Sequence, residues 1–240
     1  MYLLRMAKSQ DLDNIHKLSQ LVTFINLPRN KKKLEEKLKI SERSFRNPSS
    51  HLPDNKYMFV IEQTDDNRIL GSSMVHAQHG TVNEPHFFLR VSQENKFSKS
   101  TQTGFIHGAL TLGHETNGYT EIGGLVIDPD YRNTPVKLGK QISFVRFLYM
   151  ALHPERFREI VHSELMPPFD NNGNSPLWEA IGRRFLNMDY HEADLLSRDN
   201  KEFILSLFPK GPIYETLLPL EARHAIGKVG PQTAPVRKML

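Results

Sequence analysis

The alternation of apolar and polar positions predicts most of the elements of this chain. The run "YLLRM" opens as a strand, and Leu12, Ile15, Leu18 and Val22 then recur at helical spacing. Ser9 is placed to cap that helix, with Asp11 and Asp13 favourable in its first turn. After "LPRN", Leu34, Leu38 and Phe45 mark one face of a second helix. "NPSSHLPDN" is a loop by composition, and "KYMFVIEQ" and "ILGSSMVHAQ" flank "TDDNR" as a hairpin. "HFFLRVSQ" and "TGFIHGALTLG" predict two further strands, joined by a polar connection to which the pattern assigns nothing. "YTEIGGLVID" and "EIVHSEL" read as central strands on either side of a helix from about Gly139 to Leu152. From Pro176 the pattern turns helical, with Ser175 as cap and proline in the first turn of "SPLWEAIGRRF". "HEADLLSRDNKEFILSLFP" carries two short helices, and "APVRKML" starts another.

This order predicts an α+β fold, a mixed sheet flanked by helices with a helical C-terminal extension. The expected organisation is a core over residues 1–175 and an extension over 176–240, within one domain.

Composition removes several classes of function. No apolar run approaches the roughly 18 residues that span a bilayer. The N-terminus lacks the pattern of a secretory signal, and the chain has no cysteine, which excludes disulfides and thiolate metal sites. A soluble, cytoplasmic protein is expected, without a membrane partner. The net charge of +4 permits nucleic-acid contact, most plainly through "RNKKKLEEKLKISERSFR". There, however, Glu35, Glu36 and Glu42 are mixed among the lysines, as on the solvated face of an amphipathic helix, and no nucleic-acid partner is expected.

The chemistry concentrates in "GLVIDPDYRNTPVKLGKQISFVRFLYMAL". A strand stops at Asp128-Pro129-Asp130, a basic turn follows, and a helix begins. A helix start presents unbonded amides and a positive dipole end, and both attract phosphate. Arg132, Lys137 and Lys140 add full charges, and Gly139 removes a side chain that would keep a diphosphate from the backbone. The same residues also read as a basic turn with a capping glycine.

The arrangement resembles the central motif of the Gcn5-related acyltransferase superfamily, in which a splayed strand pairs with the pantetheine arm and an arginine-glycine loop holds the coenzyme A diphosphate. The loop here is two residues longer, with Lys137 where the first glycine is expected and Gly139 at the second. A more specific resemblance, to the arginine N-succinyltransferase family, runs through nearly the whole chain. It is carried by "LPRN", "KYMFVIE", "EPHFFLRV", "DPDYR", "RFLYMA", "NSPLWEAIGRRFLNMDYHEADLL", "FPKGPIY" and "IGKVGPQTAP" in order.

The resemblance implies transfer of an acyl group from succinyl-CoA or another acyl-CoA, without a metal, to the α-amino group of arginine or a related amine, in arginine catabolism. It implies cofactor contacts at Leu125, Val126 and Ile127 through the main chain, and at Arg132, Lys137, Leu138, Gly139 and Lys140. Glu121, Glu164 and Asp189 match acceptor-binding positions, since a guanidinium asks for a planar two-point bond to a carboxylate. Asp189 also reads as a helix cap. Family members associate, so a homodimer or heterodimer is expected.

Three departures stand out. Gly230 occupies the position of the family's proton-donor histidine, which leaves His114, Tyr119 and His224 as replacements and makes Gly230→His an expected gain of activity. Met166, Pro167 and Pro168 stand near the position of a family arginine and glycine. The sequence also ends where the family continues into further strands, as a short homologue or a fragment would. Two readings remain: an active N-acyltransferase, and a non-catalytic acyl-CoA-binding or partner subunit.

Overall fold

The computed structural model describes residues 1–21, 27–197 and 200–240, so Val22 of the first predicted helix lies outside the described residues. Among them run eight strands: β1 (Tyr2–Met6), β2 (Lys56–Gln63), β3 (Arg68–His76), β4 (His86–Ser98), β5 (Thr103–Glu115), β6 (Thr120–Ile127), β7 (Val161–His162) and β8 (Ile213–Tyr214). The helices are α1 (Leu12–Ser19), α2 (Lys31–Arg46), α3 (Leu138–Leu152), α4 (Arg183–Leu186), α5 (Tyr190–Ser197), α6 (Glu202–Leu207), α7 (Leu220–Ala225) and α8 (Ala234–Met239). Residues 1–81 with 117–164 form one unit and residues 82–116 with 165–240 another, so the expected break at residue 175 falls inside the second unit.

The first unit is a five-stranded sheet in the order β1-β2-β3-β6-β7, antiparallel except where β7 joins β6 in parallel. Strand β2 is apolar nearly throughout because both of its faces are covered. Met58 and Val60 pack with Ile15, Leu18, Leu34 and Leu38 of α1 and α2. Tyr57 and Phe59 join Tyr149 and Met150 of α3, and Ile61 joins Leu138 and Ile142 of the same helix. Two serines of α2 tie the helix to the strand, Ser41 accepting the Met58 amide at 2.8 Å and Ser44 the Lys56 amide at 3.1 Å. Asn30 caps α2 through the Lys33 amide. Ser9 does not cap α1 as expected, because its amide and hydroxyl both donate to Glu42.

In the second unit β4 and β5 pair along all thirteen of their residues, closing over a turn in which Gln102 takes a positive φ, and β8 adds to β5. The unassigned polar connection is therefore mostly strand. It escaped the pattern because Glu94, Asn95, Lys96 and Ser98 are polar and Phe97 is exposed, so no half-buried alternation marks it. Leu110 at the other end of β5 packs with Ile181, Phe208, Leu218 and Ala222. "EIVHSEL", expected as a central strand, pairs over Val161 and His162 alone.

Gly71 of β3 lies so close to β6 that an added Cβ would overlap the Ile127 side chain and stand 2.7 Å from the Val126 carbonyl oxygen, whereas at Gly139 it would meet only Ile127 at 3.6 Å. Gly71→Ala is expected to lower stability by roughly 1–3 kcal/mol through overpacking, and Gly139→Ala to leave it unchanged or slightly raised. Urea midpoints at constant slope check both.

Candidate active site

Strand β6 is irregular on one edge and almost bare on the other. Its pairing with β3 jumps from Met74–Gly123 to Ser72–Val126, and within the jump Gly124 sits at φ +58°, a conformation glycine takes without steric cost. The bulge reverses the strand's faces: Ile122 packs toward α3, and Val126, four residues on, packs toward α1 and α2. Adjacent glycines inside a strand pattern were the available sign of this bulge. On the other edge β7 pairs with Thr120 and Glu121 only, so the described residues give Ile122–Ile127 no strand on that side. Leu125 is half-buried against the Leu138 cluster, and Val126 and Ile127 are buried.

The chain then turns at Asp128, which accepts the Asp130 amide at 3.1 Å and is ion-paired with Arg68 at 2.6 Å. Arg132 donates through Nε to the Ile127 carbonyl at 3.1 Å, which ties it to the end of β6, and among the described residues its two terminal nitrogens make no hydrogen bond. Lys137, where a glycine was expected, adopts φ +53° and ψ +50°, the backbone region a glycine would favour. Helix α3 starts immediately after it. Among the described residues the Leu138 and Gly139 amides have no acceptor, while those of Lys140 and Gln141 close on the Lys137 carbonyl. Lys137 and Lys140 are exposed, the latter lying over the Phe144 ring, and Leu138 is buried. In the same loop the Thr134 hydroxyl is buried without a hydrogen-bond partner. The structure thus brings Leu125–Ile127, Arg132 and Lys137–Lys140 to one end of the sheet.

Glu121 is buried in β6, its Oε2 3.2 Å from His79 Nδ1. Glu164 is exposed, and its carboxylate lies within 4.8 Å of a His79 ring nitrogen, so the two glutamates converge on one histidine. His76 stands beside them. Burial pushes its pKa well below the ordinary histidine value, and its Nε2 is 3.2 Å from the Pro53 carbonyl. No sequence spacing pointed to this group, because His76 is the last residue of β3, His79 lies three residues beyond it, and strand register brings Glu121 to them. Arg146 was also missed in an apolar helix: it is buried against the Ser143 hydroxyl and the Gly123 carbonyl, and desolvation draws its pKa down to about 10.

Asp189, in the second unit, accepts the Glu192 amide at 2.8 Å and so caps α5, the alternative role foreseen for it. Of the three replacement proton donors, His114 is exposed beside Phe87, His224 is exposed on α7, and Tyr119 is 40% exposed, two residues before Glu121, with its ring 6.1 Å from that of His162. Gly230 donates its amide to the Met166 carbonyl at 2.8 Å, and a Cβ added to it would overlap the Pro167 carbonyl. Two of the sequence departures are therefore a single packing event, and the expectation that Gly230→His restores activity is corrected: the backbone leaves no room for the side chain. A depression of about 280 Å³ in the second unit, lined by Lys96, His107, Tyr214, Thr216 and Leu217, contains none of the expected site residues.

Residues 2–240 match the family described as arginine N-succinyltransferase beta subunit. An arginine N-succinyltransferase of Yersinia pestis is 34% identical over 241 residues, spanning 98% of this chain and 67% of that protein. One of Shigella dysenteriae is 32% identical, over 97% and 68%. The solved structure of arginine/ornithine succinyltransferase subunit AI from Pseudomonas aeruginosa superposes with a TM-score of 0.85 at 29% identity, covering all of this chain and 70% of that one. The chain spans about two thirds of the length of these relatives.

Two backbone predictions follow from this geometry. Gly230→His is expected to destabilise the second unit by roughly 1–3 kcal/mol, and Lys137→Gly to raise stability by up to about 1 kcal/mol by removing a left-handed side chain. Thermal denaturation of both variants gives the signs.

Proposed function

The chain belongs to the arginine N-succinyltransferase family, and from that footing we propose how its residues divide the work of an N-acyltransferase of arginine catabolism. The donor is an acyl-CoA, with succinyl as the acyl group. Its pantetheine arm lies along the bare edge of β6, where the main chain of Leu125–Ile127 supplies the missing strand partners. Its diphosphate sits over the start of α3, against the Leu138 and Gly139 amides and the Thr134 hydroxyl, with Arg132, Lys137 and Lys140 around it. One observation carries this reading: a strand edge without a partner runs into a helix start with two unbonded amides.

The acceptor guanidinium is taken by Glu164, the exposed carboxylate, with buried Glu121 as supporting negative charge behind His79. The neutral α-amino nitrogen attacks the thioester carbonyl. A carbon–nitrogen bond forms, the carbon–sulfur bond breaks, coenzyme A leaves as thiolate, and the nitrogen sheds its proton to a water molecule. Glycine at 230 cannot protonate that thiolate. Of the three replacements Tyr119 is assigned this role, because it stands on the same strand approach as Glu121. The sulfur is a good enough leaving group that positioning carries much of the rate. Gly230 favours a non-catalytic subunit, whereas the retained Glu121, Glu164 and Arg132 favour the enzyme.

The cytoplasm is the proposed compartment, and no described helix is long and apolar enough to cross a membrane. A second chain is the proposed partner: α3 leaves Phe144, Phe147, Leu148 and Leu152 exposed.

Coenzyme A is expected to raise the melting temperature, and Gly139→Asp to abolish that shift by setting a carboxylate against the diphosphate. With succinyl-CoA and arginine the protein is expected to release thiol, and Glu164→Gln to raise the arginine KM about tenfold with kcat little changed. Stabilisation by coenzyme A without thiol release from any amine tested would rule out the enzyme.

A further inference from the structure

We propose that His76, His79 and Glu121 form a binding site for a divalent transition-metal ion of the zinc class. The sheet places two of the three. His76 ends β3 directly opposite Glu121 of β6, so their side chains leave the same face of adjacent strands. His79 is brought back over them by the next three residues, held by its amide donating to the Tyr119 carbonyl at 2.8 Å. Each residue offers one nitrogen or oxygen within 4.8 Å of the other two. Three atoms so spaced share a centre no more than about 2.8 Å from each, and small side-chain rotations bring that to the roughly 2.0–2.1 Å of zinc–nitrogen and zinc–oxygen bonds.

The 3.2 Å between His79 Nδ1 and Glu121 Oε2 fits an ion pair and equally the roughly 3.3 Å between ligands of a tetrahedral zinc. One detail favours an ion over a simple hydrogen-bonded group. The His76 Nε2 faces the Pro53 carbonyl at 3.2 Å, which fixes the proton there and leaves Nδ1 with its lone pair. Metal-bound imidazoles are held in this way, by an outer carbonyl on the other nitrogen. The donor set of two imidazoles and a carboxylate suits zinc, cobalt or nickel better than magnesium or calcium.

A fourth position is at hand. His162 is the register partner of Glu121 on β7, so His76, Glu121 and His162 form one rung across three strands, and the His162 ring centroid is 5.8 Å from that of His79. A water completes the tetrahedron, with His162 lining the site as a neighbour.

The test uses the full chain, stripped with chelator, in the absence of any acyl donor, so its outcome is independent of the catalytic reading. One equivalent of zinc is expected to bind by calorimetry and to survive gel filtration, and cobalt(II) to give the strong visible absorption of tetrahedral coordination. Zinc should raise the melting temperature. His79→Ala, partly exposed and therefore expected to fold as judged by circular dichroism, should weaken zinc at least about 100-fold and remove the cobalt band. His76→Gln should do the same. His51→Gln, which alters an exposed histidine–aspartate pair, should change nothing. Absence of stoichiometric zinc, or binding equally strong in folded His79→Ala, overturns the proposal.

Discussion

Strand β6 has a full neighbour on one side and a two-residue neighbour on the other, and the proposed chemistry depends on that asymmetry. Backbone amides and carbonyls in a folded protein are almost always paired. A strand in the middle of a sheet order, between β3 and β7, that loses one partner after Glu121 must satisfy those groups otherwise. Side chains take some of them: Arg146 and Arg132 reach the carbonyls of Gly123 and Ile127. The extended main chain of an amide-containing ligand would take others.

The bulge at Gly124 joins this edge to the start of α3. By reversing the strand's faces it turns Ile127 toward the α3 side, where Ile127 packs with Leu138 and Ile142. That contact fixes where the helix begins relative to the strand end. Arg132 reinforces the joint with a bond to the last strand carbonyl. A single local irregularity in the sheet therefore positions both the neutral and the charged parts of the proposed cofactor site.

Much of this was legible in the sequence, and what was not has physical reasons. The strand–turn–helix signal at 124–152 was strong because the apolar periodicity changes there from that of a strand to that of a helix, and the helix starts within a residue of its expected place. Charge and one glycine over residues 132–140 read equally as a basic turn, and the family resemblance is what made a proposed cofactor loop of them. Three features stayed hidden. The outer end of β4 is polar apart from an exposed Phe97, so the strand pattern stops short of the turn. The left-handed Lys137 looks like any lysine in a sequence, and only the backbone shows that it does a glycine's work. The packing of Pro167 against Gly230 joins positions more than sixty residues apart, so each read as an independent departure. The His76–His79–Glu121 group is of the same kind, since strand register and not sequence proximity assembles it.

The measurement that bears most directly on the bare edge of β6 is amide hydrogen exchange with and without coenzyme A. The account predicts slowed exchange in peptides covering Ile122–Ile127 and the start of α3 through Gly139, with β1 and β2 unchanged. Protection elsewhere in the chain, with these two segments unaffected by a saturating concentration of the cofactor, would contradict it.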